Sequence, residues 1–171
     1  MNKRARFLTV SVVLLVLLVL VMGTVQAGAI KTYFTASETP LQYVSPGEEW
    51  FPDDGRYNLR GAEDIYALVA DDPRLDDAED HVTINWNFKL MPEPVYVAGQ
   101  MWGTFVITND GGYWEGIWTG TRAENGYSYF HFVGSGGGGY EGMKLRMWGE
   151  RLDPDPTLPE IYHGYIIEPG G

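Results

Sequence analysis

GQMWGTFVITNDGGYWEGIWTGTRAENGYSYFHFVGSGGGGYEGMKLRMWG, residues 99–149, is the stretch whose reading decides the fold. It divides into four runs of alternating side chains, separated by turns rich in Gly and Asn. In the first run Gly99, Met101, Gly103, Phe105 and Ile107 share one face, with Gln100, Trp102, Thr104 and Thr108 opposite. Asn109-Asp110-Gly111-Gly112 is a strong hairpin signal, because Asn, Asp and Gly tolerate positive φ. In the second run Trp114, Gly116, Trp118 and Gly120 share a face. Large residues alternating with glycine suit a curved, tapering interior. Glu124-Asn125-Gly126 turns the chain again. Ser128, Phe130 and Phe132 then share a face, with Tyr129, His131 and Val133 opposite. Gly134 to Gly139 reads as a flexible turn. Tyr140 to Gly149 reads as a strand with Glu141, Met143, Leu145 and Met147 on one face.

The flanking sequence extends the same pattern. His81 to Leu90 puts Val82, Ile84, Trp86, Phe88 and Leu90 on one face and polar residues on the other, as a half-buried antiparallel strand requires. Met91 to Pro94 turns the chain, and Val95 to Thr108 is a long strand. Arg56 to Ala70 reads as a strand on its Tyr, Ile and Val content, although Ile65, Leu68 and Val69 would also suit a helical face. Ile30 to Thr35 is a short strand, and Ile161 to Ile167 is the last one. Ala36 to Asp54 reads as a turn-rich loop, with Trp50-Phe51 as a plug over one barrel end. Asp71 to Asp80 reads as a solvated charged loop, and Asp153 to Pro159 as a proline-rich connection. About eight short strands with hairpin links and no helix after residue 29 give an all-β chain. The simplest closure is an eight-stranded antiparallel up-and-down β-barrel, which removes exposed strand edges. At that size the lumen is either filled by side chains or holds one small ligand.

Residues 1–29 stand apart from this domain, which occupies residues 30–171. Lys3, Arg4 and Arg6 precede an almost wholly apolar run from Phe7 to Met22, and Ala27-Gly28-Ala29 offers a small-residue cleavage site. This is the layout of a signal peptide, and it predicts a secreted or extracytoplasmic protein. The alternative is an anchor helix over residues 7–25, which would tie the protein to a membrane if retained. No cysteine occurs anywhere, which rules out disulfides, thiolate zinc sites and cysteine nucleophiles. Removal of the three leader cations leaves nine Lys+Arg against 23 Asp+Glu, a net charge of −14. Such a surface repels nucleic acid.

Two blocks, Trp102 to Gly120 (WGTFVITNDGGYWEGIWTG) and Gly134 to Arg146 (GSGGGGYEGMKLR), resemble exported bacterial proteins of the allene oxide cyclase barrel-like family, related to plant allene oxide cyclases and dirigent proteins. In that family the second block usually reads G-x-G-x-G-A-Y-E-G-L. Tyr140, Glu141 and Gly142 match it, Met143 replaces the leucine, and Gly139 stands where alanine is common. Asp72-Pro73-Arg74-Leu75 resembles a short family motif upstream. The resemblance covers about half of residues 30–171. It implies the barrel and permits a homo-oligomer, a trimer in particular. It carries no catalytic residue onto this chain.

The chemistry is less legible than the architecture. Gly134, Gly136 and Gly139 fit G-x-G-x-x-G, but a dinucleotide loop needs a helix next and a strand follows here. The histidines His81, His131 and His163 lie on different strands without metal-ligand spacing, so no metal or cofactor is expected. Glu141 faces inward if it alternates with Met143, Leu145 and Met147. There it would serve as a general acid or ligand anchor, or would lock the turn by accepting backbone N–H groups. Glu115 then points outward, so the two make no carboxylate pair. Trp86, Phe105, Trp114, Trp118, Phe130 and Phe132 are the candidate lumen residues. The leading expectation is a non-catalytic module that takes a small apolar ligand inside the barrel. The alternatives are a cyclase- or isomerase-like enzyme acting on a lipid-derived substrate, with Glu141 as its acid, and a structural or interaction protein with a fully packed core.

Overall fold

A computed structural model describes residues 28–90, 97–151 and 159–170. Residues 1–27 of the segment expected as a signal peptide or anchor (1–29), the turn expected at Met91 to Pro94 and most of the expected proline-rich connection (152–158) lie outside the described residues. Nine strands follow in order: β1 (Ile30–Ser45), β2 (Glu48–Trp50), β3 (Arg56–Ala70), β4 (Ala78–Leu90), β5 (Val97–Asn109), β6 (Gly112–Arg122), β7 (Ser128–Gly138), β8 (Lys144–Arg151) and β9 (Glu160–Glu168). From β3 to β9 each strand pairs antiparallel with the next. β1 pairs with β9 from Ile30↔Glu168 to Glu38↔Glu160, and with β3 from Ala36↔Ala70 to Ser45↔Glu63. The sheet therefore closes as an eight-stranded antiparallel barrel. The extra strand β2 pairs with β3 at Glu48↔Arg60, in the same register as Ser45↔Glu63, so it prolongs β1 beyond Pro46-Gly47.

The inward rows expected for β4, β5 and β6 are those observed, except that Leu90, at the end of β4, is exposed. Val82, Phe88, Met101, Phe105, Ile107, Trp114 and Trp118 are all buried. Glycines make room for the large rings. A Cβ on Gly103 would fall 2.6 Å from Nε1 of Trp118, whose N–H donates to the Thr83 carbonyl at 3.0 Å. The buried indole is thus satisfied by a carbonyl on another strand, as a buried N–H requires. The β3–β4 pairing carries a bulge between Leu59 and Ala62, where Gly61 adopts φ +64° and donates to the Asn85 side chain at 3.0 Å. On the outer surface the Arg60 guanidinium lies over the rings of both Trp50 (5.0 Å) and Trp102 (4.6 Å). His81, His131 and His163 are on the outside.

Four local expectations change. Ala36 to Asp54 is mostly strand, because β3 supplies backbone partners along its length. Pro40 is tolerated at a bulge, beyond the last β9 partner, where a missing N–H breaks no pair on that side. Trp50 and Phe51 do not plug the barrel. They are 39% and 60% exposed, and Phe51 stacks on Tyr57 at 4.7 Å. Asp71 to Asp80 is not merely solvated: Leu75 is fully buried, and β4 begins at Ala78 with Asp80 inside. Finally, β7 runs on through the glycines to Gly138, and the turn is Gly139 to Gly142. Gly134 stays in the strand because a Cβ there would meet the Phe105 ring at 2.8 Å, so the ring fills the space a side chain would need.

Candidate functional site

The two ends of the barrel are built differently. At one end the β3–β4 loop and the β7–β8 turn close the lumen. Tyr140 stacks on Trp114 at 5.1 Å and donates its hydroxyl to Asn109 Oδ1 at 2.7 Å. The Trp114 N–H donates to the Arg74 carbonyl at 3.0 Å. Arg74 in turn binds Asp72 at 2.7 Å and Glu168 at 2.5 Å, which ties the loop to the last strand. This ion pair holds the Asp72 carboxyl below the ordinary range. Phe105, Ile107, Leu145 and Ile166 complete the dry packing.

Toward the other end lies a cavity of about 770 Å³. Its apolar wall comes from β4 to β7: Trp86 stacks on Phe88 at 5.1 Å, and Trp118 meets Phe130 and Phe132 at 6.1 Å each. Its other wall is polar and comes from β6 round to β1. Arg122 pairs in register with Ser128, Ser128 with Arg151, and Glu160 with Glu38. Arg151 forms an ion pair with Glu160. Tyr162 donates to Glu160 at 2.5 Å and also reaches Glu38. Asp80, fully buried behind Glu38, completes the group.

Every one of these polar residues continues an inward apolar row by one step of two. Trp118 and Gly120 lead to Arg122, Leu145 and Met147 lead past Gly149 to Arg151, and Phe34 and Ala36 lead to Glu38. Strand alternation therefore forces them into the lumen. Burial pushes the Glu38 carboxyl well above its ordinary value, and the neighbouring Asp80 charge pushes it further. Burial likewise raises Asp80, to about 6. Two carboxyls in low dielectric cannot both ionise cheaply, so the neutral form of Glu38 is favoured. Tyr162 and Tyr66 are raised by burial first, and Arg122 is lowered by burial and then by Arg151. Several buried polar atoms have no protein partner: Glu38 Oε1, Asp64 Oδ1, both Asp80 oxygens, and the Nε atoms of Trp86, Arg122 and Arg151. Native interiors rarely leave such groups unpaired, and here they gather on and beside one cavity.

The residues singled out in the sequence divide accordingly. Trp86, Trp118, Phe130 and Phe132 line the cavity together. Phe105 and Trp114 do not; they belong to the packed end. Glu141 is exposed, which corrects its expected inward position. The alternation breaks because Tyr140 and Glu141 lie in the turn, Gly142 adopts φ +84°, and β8 starts only at Lys144. Tyr140 takes the buried place and Glu141 faces water. Among the described residues no cluster of His, Asp and Glu has metal-binding geometry. Comparison with family models, with characterised proteins and with solved structures returned no match for this chain.

Proposed function

We propose that this barrel binds one small, mainly apolar molecule with a polar head in its interior. The observation that carries the reading is the cavity itself: about 770 Å³, aromatic on one side, with unpartnered polar atoms on the other. Small-molecule sites commonly have volumes of roughly 300–1,000 Å³, with mostly apolar walls and a few converging polar groups. A carrier or sensor needs no more than this. The leader and the excess of acidic residues support action outside the cytoplasm and away from nucleic acid. Membership of the allene oxide cyclase-like family is part of the same proposal and rests on the Trp102–Gly120 and Gly134–Arg146 blocks.

The test uses calorimetric titration with a neutral aromatic probe, methyl naphthalene-2-acetate. The wild-type chain should bind one equivalent. Ile84→Trp, which sends an indole into the cavity, should abolish binding while the far-ultraviolet spectrum stays unchanged. If neither this probe nor a neutral alkyl or steroid probe bound the wild type, the proposal would fail.

A second reading has its own observation, the Glu38–Asp80 pair beside Tyr162. A carboxyl whose neutral form is favoured by burial, beside an ionisable partner, is suited to proton transfer on a bound ligand. In a cyclase- or isomerase-like reaction Glu38, not Glu141, would be the acid. A ligand recovered from the native protein should then isomerise with fresh wild-type chain and not with Glu38→Gln. Unchanged ligand with both would exclude the enzymatic reading.

A further inference from the structure

The polar wall has an internal asymmetry that bears on what the ligand's head must be. Three inward residues, Arg122, Ser128 and Arg151, lie side by side in one register on β6, β7 and β8. Neighbouring strands lie about 4.8 Å apart, so the two arginine Cα atoms are roughly 10 Å apart across the buried serine. Guanidinium stems of that reach converge on the space between them. Arg151 already has a counterion in Glu160. Arg122 has none: among the described residues no carboxylate pairs with it, and its Nε is buried without a partner. A half-buried cation beside a second cation is unfavourable until an anion joins it.

We infer that the Arg122–Ser128–Arg151 row is an anion subsite, and that the cavity takes organic anions, carboxylates foremost, whose apolar body lies against Trp118, Phe130 and Phe132. This inference rests on the cavity-binding reading above and adds the charge of the ligand's head. Guanidinium forks match a carboxylate with paired N–H donors, and the serine hydroxyl between them can donate a further bond. Of the acidic groups that line the cavity, Glu160 is paired with Arg151, and burial favours the neutral forms of Glu38 and Asp64; Asp80 lies behind Glu38 and does not line it. Three aromatic rings from two adjacent strands, β6 and β7, then receive a flat body by stacking and edge contacts.

The experiment holds the body constant and varies the head. Naphthalene-2-acetate, its methyl ester and 2-(2-naphthyl)ethylammonium are titrated calorimetrically into the full chain at neutral pH. The acid should bind at least about tenfold more tightly than the ester, as expected for a charge-assisted pair. In Arg122→Gln that ratio should collapse to about twofold, and Arg122→Lys should restore part of it without the bidentate geometry. If the ester binds as well as the acid, or the ammonium binds best, the anion subsite is wrong while the cavity-binding reading survives. If none of the three binds, this inference is wrong, and the cavity-binding reading falls with it when the neutral alkyl and steroid probes fail as well. Should Arg122→Gln fail to fold, the wild-type acid-to-ester ratio decides alone, and a ratio near one overturns the inference.

Discussion

Asp80→Asn should stabilise this protein at neutral pH, although it removes a buried charged group. Asp80 is fully buried, and its carboxyl is raised from 3.8 to about 6. A raised carboxyl pKa means that the folded chain binds the proton more tightly than the unfolded chain. Folding is then favoured while the group is protonated in both states, and stability is lost as pH climbs through the window from about 4 to about 6. A shift of about two units is worth about 3 kcal/mol. Asn keeps the shape of the neutral acid but has no charge to desolvate. Urea unfolding followed by tryptophan fluorescence should therefore show Asp80→Asn more stable than wild type by about 3 kcal/mol near pH 7.5. In a thermal scan the gain is about 6–12 °C for a domain of this size. The gap should close below about pH 4, where wild-type Asp80 is neutral in both states. A gap that is the same at both pH values, or a variant less stable than wild type at pH 7.5, would refute the account of a costly, ionised Asp80.

The packed end makes separate predictions. Trp114→Ala should lower stability by about 3–5 kcal/mol, read from the urea midpoint, because it empties a dry site between Tyr140 and the β3–β4 loop. Arg74→Met should cost about 2 kcal/mol by the same assay, since it leaves buried Asp72 without its cation. Glu141→Gln should change stability by less than about 0.5 kcal/mol and leave probe affinity unmoved, as befits an exposed turn residue.

How far the sequence could be read depended on whether one face of a strand was apolar throughout. In β4, β5 and β6 it was, and the rows through Val82, Met101 and Trp114 are those observed. The same rule carried one step further would have found the polar wall. Asp80 precedes Val82 by two, Arg122 follows Gly120 by two, and Glu38 follows Ala36 by two. Those charges read as strand ends or solvated loops because a charged residue is usually exposed. At these positions periodicity points inward while composition points to solvent. Residues 36–50 were illegible for another reason. Strand β1 gains its order from pairing with β3, a long-range contact that two prolines hide locally. Glu141 failed because a four-residue turn shifts the alternation, and a run of glycines gives no hint of where the strand stops.

A crystal structure of the full chain with methyl naphthalene-2-acetate bears most directly on the central claim. The account predicts one naphthalene ring in the lumen, packed between Trp86, Trp118 and Phe130, with its ester directed toward Arg122 and Ser128. A lumen closed by its own side chains, with no space between Trp86 and Phe130 and the probe only on the outer surface, would contradict it.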